Sequence, residues 1–202
     1  MIIAYNHTMN IEDCCLSCLK GLAEKTVFLS GGNEDLLNEC YVLIEKLWTP
    51  EATPPVISNT ILRHIKEETG NPDPYGQVKE NEFTEAVKAF REVRDQFSNS
   101  FEGAIRLSAM GNSMDFFING FYGPDTFIFA GNVDKIKDLI YIRGKDVLMI
   151  GDNIGDLIFD MPLVEHLEKS GKHVCYAVRE EPVQNDLSMK DHSEQVRSEK
   201  YV

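Results

Sequence analysis

The sequence lacks the features that usually mark membrane-spanning, secreted and nucleic-acid-binding proteins. In its 202 residues no apolar run approaches the roughly 20 that a membrane-spanning helix needs, and the first residues lack the layout of a signal peptide. Basic residues are in deficit: 20 lysines and arginines face 33 aspartates and glutamates, which gives a formal net charge of −13. Because this charge repels nucleic-acid phosphates and anionic membrane surfaces, we expect neither as a partner. We therefore expect a soluble, cytoplasmic protein.

Cysteine is scarce, and its pattern is a poor disulfide framework. There are five cysteines, an odd number, and Cys14, Cys15 and Cys18 cluster near the start. A C-x-x-C zinc site needs a second Cys or His pair, and a thioredoxin-like motif needs a strand before it; neither is visible around the helix predicted over 11–26. We expect a reducing compartment, with Cys15 and Cys18 neither disulfide-bonded nor catalytic. Packing of two small side chains on one helix face is the simplest interpretation, and a metal or redox role stays open.

Helical periodicity dominates roughly the first hundred residues. Apolar residues at helical spacing predict helices over 33–48 and from Pro54 onward, and a further apolar helix over 101–110. The intervening stretch 77–97 is strongly charged with sparse apolar residues, so it is predicted to be a solvated helix. No repeat interrupts this part of the chain, and the hydrophobic content of 43% is enough to build a core.

The second half of the chain predicts one β-α-β unit. The apolar run 147–150 is typical of a strand buried on both faces, residues 157–169 have helical spacing, and 173–178 is a second buried strand. Strands joined in this way are parallel, and the crossover is expected to be right-handed. A shorter helix is predicted over 133–142.

Polar side chains follow both predicted strands at the point where each strand ends. Asp152 and Asn153 follow the first strand, and Asn185 and Asp186 follow the second. The carboxyl ends of parallel strands meet at one edge of a sheet, where open α/β sheets bind their ligands. Carboxylate and carboxamide oxygens suit hard divalent cations. Helix capping would explain one such pair, but two pairs at neighbouring strand ends favour a divalent metal site.

Taken together, a series of short motifs resembles the damage-control phosphatase family, first catalogued as domain of unknown function 89. The resemblance runs from about residue 14 to about residue 191, and its specificity comes from the order and spacing of the motifs. The C-x-x-C resembles the prokaryotic, stand-alone branch. The motifs are Cys15-Leu-Ser-Cys18, Thr69-Gly-Asn-Pro-Asp-Pro-Tyr75, Gly111-Asn-Ser-Met-Asp-Phe116, Gly151-Asp-Asn-Ile-Gly-Asp156 with Phe159-Asp160, and Val178-Arg179 through Pro182, Asn185 and Asp186.

The resemblance implies a fold and an activity. The fold would be an α/β fold in which a helical amino-terminal domain, delimited here as 1–104, packs on a three-layer α/β/α, Rossmann-like domain over 105–202. The activity would be that of a hydrolase: a phosphatase that depends on magnesium, manganese, cobalt or nickel. Its substrates would be small phosphorylated metabolites, such as sugar phosphates or damaged phospho-cofactors.

The resemblance also implies roles for individual residues by their position in the motifs. The implied metal ligands are Asp152, Asn153 and Asp186. The implied catalytic acids are Asp152, Asp186 and Asp156. The residues implied to line the substrate pocket are Asn112, Asp115 and Asn185.

This chain departs from the family pattern in two places. The family usually carries Glu where Asp156 stands, and its chain continues beyond the Asn185-Asp186 motif to a Lys-Gly segment thought to complete the phosphate pocket. Arg179 and Lys190 are the nearest basic candidates here. We therefore expect a truncated parallel sheet and weak turnover, and we expect the chain either to be marginally stable alone or to bury the exposed sheet edge in a homo-oligomer.

Two other interpretations stand beside the phosphatase. One is a shortened, non-catalytic family member that binds a metal or a phosphometabolite. The other is a haloacid-dehalogenase-like phosphatase, because Asp152 and Asp156 resemble the late acidic motif of that family. That fold also needs an early strand ending in Asp-x-Asp, which this sequence lacks.

Overall fold

A computed structural model describes residues 13–49, 52–113, 115, 123–142 and 144–194 of the chain. The elements found there, in chain order, are α1 (Asp13–Ser30), α2 (Glu34–Leu47), α3 (Pro54–Thr69), α4 (Gly76–Val93), a 3-10 turn (Arg94–Gln96), α5 (Phe101–Gly111), α6 (Val133–Ile142), β1 (Asp146–Ile150), α7 (Asp156–Lys169), β2 (His173–Ala177) and α8 (Met189–Glu194). Among the described residues, no helix combines the length and the apolar content needed to cross a membrane.

The contacts divide the chain into two compact units, Met1–Tyr75 and Gly76–Val202. This division falls earlier than the boundary predicted between 104 and 105. Helix α4 and the first residues of α5 lie on the amino-terminal side of the predicted boundary. Both helices pack against α7, the crossover helix of the β-α-β unit.

In the first unit, α1, α2 and α3 pack around an apolar core. The side chain of Asn33 accepts a hydrogen bond from the Leu36 N–H (3.0 Å) and so begins α2. Pro54 begins α3, and Gly70, in the left-handed conformation, ends it. The core residues are Leu19, Ala23, Val27, Leu36, Cys40, Ile44, Ile57, Ile61 and Ile65.

The cysteines of α1 do not form a paired packing face. All five cysteines of the chain are free thiols, and Cys15 is half-buried whereas Cys18 is exposed. Packing on one helix face therefore applies to Cys15 and not to Cys18.

The second unit contains the predicted β-α-β arrangement, and the α/β fold class is confirmed. β1 and β2 pair in parallel, from Asp146 opposite His173 to Ile150 opposite Ala177, and α7 connects them. In the described part of the chain this is a two-stranded sheet. α6 has the bounds predicted from the sequence.

Two details of the sequence prediction are wrong in this unit. β1 is not buried on both faces, because Leu148 is 64% exposed and Ile150 is 79% exposed. α4 is not a solvated helix, because it buries Phe83 together with the charged residues Lys79 and Glu82. An apolar run shows what a strand is able to bury, and a charged stretch shows what a helix is able to expose. Which of these happens depends on the neighbouring elements.

The close approach of α5 to α7 generates a prediction about Gly111. A Cβ atom at this buried position would lie 2.5 Å from the Cβ of Phe159. Gly111→Ala should therefore destabilise the protein by about 1–3 kcal/mol, through overpacking. Gly21 on α1 has nothing within 4 Å of such an atom, so Gly21→Ala should stabilise it by about 0.5–1 kcal/mol. Urea unfolding of the two variants measures both effects, and equal effects would contradict the close packing.

Candidate functional site

The segments that follow β1 and β2 are hydrogen-bonded to each other, and this pairing forms the backbone of the candidate site. Asn153 and Asp186 form an antiparallel bridge. Three backbone hydrogen bonds accompany it: from the Gly151 N–H to the Ala177 carbonyl (2.8 Å), from the Leu187 N–H to the Asp152 carbonyl (2.8 Å) and from the Ile154 N–H to the Asn185 carbonyl (3.1 Å). The structure therefore brings both predicted polar pairs together at the carboxyl edge of the sheet.

Asn153 lies in the turn before the crossover helix α7 and is almost fully buried, at 2% exposure. Its Oδ1 accepts a hydrogen bond from the Asp156 N–H (3.1 Å). The helix-capping interpretation therefore applies to Asn153. A carboxamide oxygen has two lone pairs, so one remains for a further ligand. The Nδ2 atom is buried without a hydrogen-bond partner among the described residues.

Asp156 is the buried acid at the start of α7. Its Oδ1 atom also lacks a hydrogen-bond partner among the described residues. Burial, and after it the charges of Asp160, Asp152, Glu82 and Asp115 in that order, together raise the pKa of the Asp156 carboxyl to about 8. Several carboxylates thus act on one buried carboxyl group, which holds a proton at neutral pH when no cation is near.

Asp160 lies one helical turn beyond Asp156, and both of its oxygens are engaged. Oδ1 accepts a hydrogen bond from the Ser108 hydroxyl (2.5 Å), and Oδ2 accepts one from the Tyr176 hydroxyl (2.6 Å). Burial raises the pKa of Asp160, and these two hydrogen bonds oppose the rise. Asp160 therefore links α5, α7 and β2, and its role at the site is to support the fold.

Asp186 is the acid contributed by the segment after β2. Its Oδ2 accepts a hydrogen bond from Arg179 Nε at 2.7 Å. Burial raises the pKa of Asp186, the bond and charge of Arg179 lower it, and the charges of Asp152 and Asp115 raise it again, with burial the largest effect. Asp186 is thus a partly buried carboxylate beside a single arginine.

Asn185 connects two carboxylates that come from distant parts of the chain. Its Nδ2 donates to Glu82 Oε1 (3.1 Å) and Oε2 (3.2 Å) and to Asp115 Oδ1 (3.0 Å). Both Asn185 and Glu82 are buried. The donors of Asn185 therefore hold the site together in this structure, whereas the sequence prediction assigned the residue to substrate binding.

Sequence reasoning missed Glu82 and Lys79, which both lie on α4. Lys79 is 1% exposed, and its Nζ donates to both oxygens of Asp191 (2.8 and 2.9 Å). Asp191 in turn accepts the Ser188 N–H (3.0 Å), so this ion pair fastens the segment that carries Asp186. The available signal was a lysine and a glutamate on the same stripe of the helix as its sparse apolar residues.

The predicted pocket residue Asn112 is not joined to the acidic cluster, which consists of Asp152, Asp156, Asp186, Glu82 and Asp115. It follows the last residue of α5, and its side chain is exposed. Within the described ranges no hydrogen bond connects that side chain to the acidic residues. Two residues of its predicted motif, Met114 and Phe116, lie outside the described residues.

The acidic cluster fits a hard divalent cation by its chemistry more than by its present geometry. Among the described residues, no three Asp, Glu, His or Cys side chains are gathered closely enough to hold a metal ion as they stand. Asp152 is exposed, and Asp186 is bonded to Arg179. The unpartnered oxygen of Asp156 and the raised pKa of its carboxyl nevertheless reveal uncompensated negative charge, which a divalent cation would offset.

The raised pKa of Asp156 predicts how the metal-free protein responds to pH. The folded protein retains a proton on Asp156 up to about pH 8, whereas an unfolded chain releases it near the usual value of 3.8. The stabilisation is complete below the lower value and is lost as the pH rises through the higher one. Asp156→Asn keeps a neutral side chain, so in EDTA it should be more stable than wild type by a few kcal/mol at about pH 9 and equal to it at about pH 4.

Thermal unfolding across this pH range measures the difference. Asp125→Asn, at an exposed turn position, is the matched control and should follow the wild-type profile. A stability difference for Asp156→Asn that does not change with pH would contradict the assignment of the buried proton.

Comparisons with known proteins agree with this architecture. The chain matches the family model of the damage-control phosphatase ARMT1-like domain over residues 11–201. It is 28% identical over 200 residues to damage-control phosphatase PH1575 of Pyrococcus horikoshii, covering 91% of this chain and 68% of that protein. It is 25% identical over 202 residues to a damage-control phosphatase of Archaeoglobus fulgidus, covering 91% of this chain and 69% of that one.

A solved structure shares the fold. The crystal structure of a DUF89 family protein from Pyrococcus horikoshii matches with a TM-score of 0.70 at 22% identity, over 92% of this chain and 70% of that chain. The extent of the match to the family model, over residues 11–201, establishes that this chain belongs to the damage-control phosphatase ARMT1-like family.

Proposed function

We propose that this protein is a divalent-metal-dependent phosphatase acting on small phosphorylated metabolites, such as sugar phosphates or damaged phospho-cofactors. The observation that carries the proposal is the convergence of Asp152, Asn153, Asp156 and Asp186 at the carboxyl edge of the sheet, with an acid there whose pKa is about 8. Membership of the damage-control phosphatase ARMT1-like family supports a phosphatase-type function. The free cysteines favour a reducing compartment such as the cytoplasm.

Asp152, the Oδ1 atom of Asn153 and Asp186 would hold the metal ion in this proposal. These are hard oxygen donors of the kind that magnesium and manganese prefer, and cobalt and nickel accept them as well. When bound, a divalent cation neutralises phosphoryl oxygens and so favours attack on phosphorus.

The remaining groups divide between proton transfer and support. Asp156 is the buried acid of the cluster, and in this proposal its carboxyl would give a proton to a leaving oxygen and take one back. Asp152 is exposed and is therefore the member of the cluster that an incoming substrate contacts first. Asn185 holds the carboxylates of Glu82 and Asp115 in place through its Nδ2 atom.

A second candidate function is binding of a metal or a phosphometabolite without turnover. One observation favours it: no three acids in the described part of the chain are assembled for a metal as they stand. Asp186 would also have to bind the metal while its Oδ2 atom accepts the hydrogen bond of Arg179. A protein that binds the metal but does not hydrolyse phosphate esters would fit these features.

Thermal unfolding with magnesium, manganese, cobalt or nickel, paired with hydrolysis of p-nitrophenyl phosphate, separates these candidates. A metal that binds only the folded state at 100 times its Kd stabilises it by about 2.7 kcal/mol. Asp152→Ala and Asp186→Ala should each abolish the metal-dependent shift and the turnover. Asp160→Asn should lower the melting temperature yet keep the metal shift, because both Asp160 oxygens bind Ser108 and Tyr176.

The outcomes are distinct. A wild-type protein that none of the four metals stabilises would rule out the metal site. A metal shift without hydrolysis of any phosphate ester in a panel of sugar phosphates and nucleotides would support the binding protein over the enzyme.

A further inference from the structure

Arg179 is a basic side chain held at the acidic cluster and open to solvent. Its Nε donates to Asp186 Oδ2 at 2.7 Å, and the arginine side chain is 59% exposed, whereas that of Asp186 is 14% exposed. The bond to Asp186 uses one N–H of a guanidinium group, which carries further donors in a planar fork. The remaining donors are therefore reachable by a molecule that enters from solvent.

The backbone of Arg179 is fixed from both sides, so the position of its side chain is built into the fold. The Arg179 N–H donates to the Leu187 carbonyl (3.0 Å), and the Met189 N–H donates to the Arg179 carbonyl (2.9 Å). These bonds form a parallel bridge between Arg179 and Ser188, two residues beyond Asp186. Arg179 is thus anchored at its backbone and at Nε. The terminal N–H groups of its guanidinium, which form the free end of the side chain, can bind a ligand.

Lys79 is another cation near this segment, and its circumstances are the opposite. Its side chain is 1% exposed, and both oxygens of Asp191 accept hydrogen bonds from its Nζ. A buried, fully engaged lysine supports the fold and does not offer a surface to an incoming anion. Arg179 therefore has the exposure that anion binding requires.

We propose that Arg179 binds the phosphoryl group of the substrate through the free end of its guanidinium, while Asp186 holds the arginine in position. This inference rests on the proposed function and names a residue that completes it. The need for such a cation is electrostatic: the carboxylates of Asp152, Asp186, Glu82 and Asp115 would repel a phosphoryl dianion. The planar fork of arginine matches the oxygens of phosphate in two parallel hydrogen bonds, which a lysine cannot reproduce.

Binding of inorganic phosphate to the magnesium-loaded protein tests the proposal directly. Isothermal titration with the wild type, Arg179→Gln and Arg179→Lys should show phosphate affinity reduced about 10- to 100-fold in the glutamine variant and by less in the lysine variant. Arg106→Gln is a matched control. Arg106 lies on α5 outside the acidic cluster, and its Nε donates to the Glu102 carboxylate at 3.0 Å, as Arg179 Nε does to Asp186. Its phosphate affinity should equal that of the wild type.

A second readout separates phosphate binding from damage to the metal site or the fold. The melting-temperature shift caused by magnesium alone should persist in Arg179→Gln, since Asp186 loses a competing partner and keeps its carboxylate. If Arg179→Gln unfolds on purification, the folded state is tested with Arg179→Lys, which keeps the charge beside Asp186. For that variant the expected result is intact magnesium stabilisation with weaker phosphate binding.

The possible failures are distinguishable. Phosphate affinity in both Arg179 variants within about threefold of the wild type would overturn the role of Arg179 and leave the phosphatase proposal standing. Phosphate binding that depends on Arg179 in a protein without turnover would support the inference and overturn the enzymatic function. A wild type that does not bind phosphate at all would overturn the inference outright.

Discussion

The pairing of the segment after β1 with the segment after β2 is the constraint on which the candidate site depends. The bridge between Asn153 and Asp186 is made by the backbone, so the side chains around it cannot separate to relieve their repulsion. The electrostatic consequence appears at Asp156 and Asp186, whose pKa values are both raised by burial and by neighbouring carboxylates. A site of this kind stores negative charge that a proton or a cation must balance.

Polar residues of α4 hold the segment that carries Asp186 in place. Glu82 accepts the hydrogen bonds of Asn185, and Lys79 donates hydrogen bonds to Asp191, so one helix fastens the segment that carries Asp186 at both of its ends. Losing either partner would leave a buried polar group unpaired, which costs more than the bond itself contributes. The site is therefore supported by regular helix and strand residues, which position side chains more closely than loops do.

How much of this was predictable from the sequence depends on whether a feature is local. The bounds of α6 and the meeting of Asp152 and Asn153 with Asn185 and Asp186 followed from periodicity and from the geometry of parallel strands. The partners of Lys79 and Glu82 lie about a hundred residues further along the chain, in the 185–191 segment. No local sequence pattern predicts contacts at this separation. The exposure of one face of β1 was not predicted for the same reason. The sequence of a strand does not show how many neighbouring elements cover it.

Two cations near the site, Lys79 and Arg179, each neutralise one carboxylate. Lys79 neutralises Asp191 in the interior and is closed to solvent. Its electrostatic effect on the acids of the site is therefore constant. Arg179 neutralises Asp186 at the surface, where a metal ion and a phosphoryl group would each change what the arginine faces. In the proposed function, a cation at Asp186 would offset part of the carboxylate charge that faces Arg179, which would leave more of the positive charge of the arginine available to an anion. The same carboxylate thus couples the two ligands, and because coupling free energies are reciprocal, phosphate should in turn favour the metal.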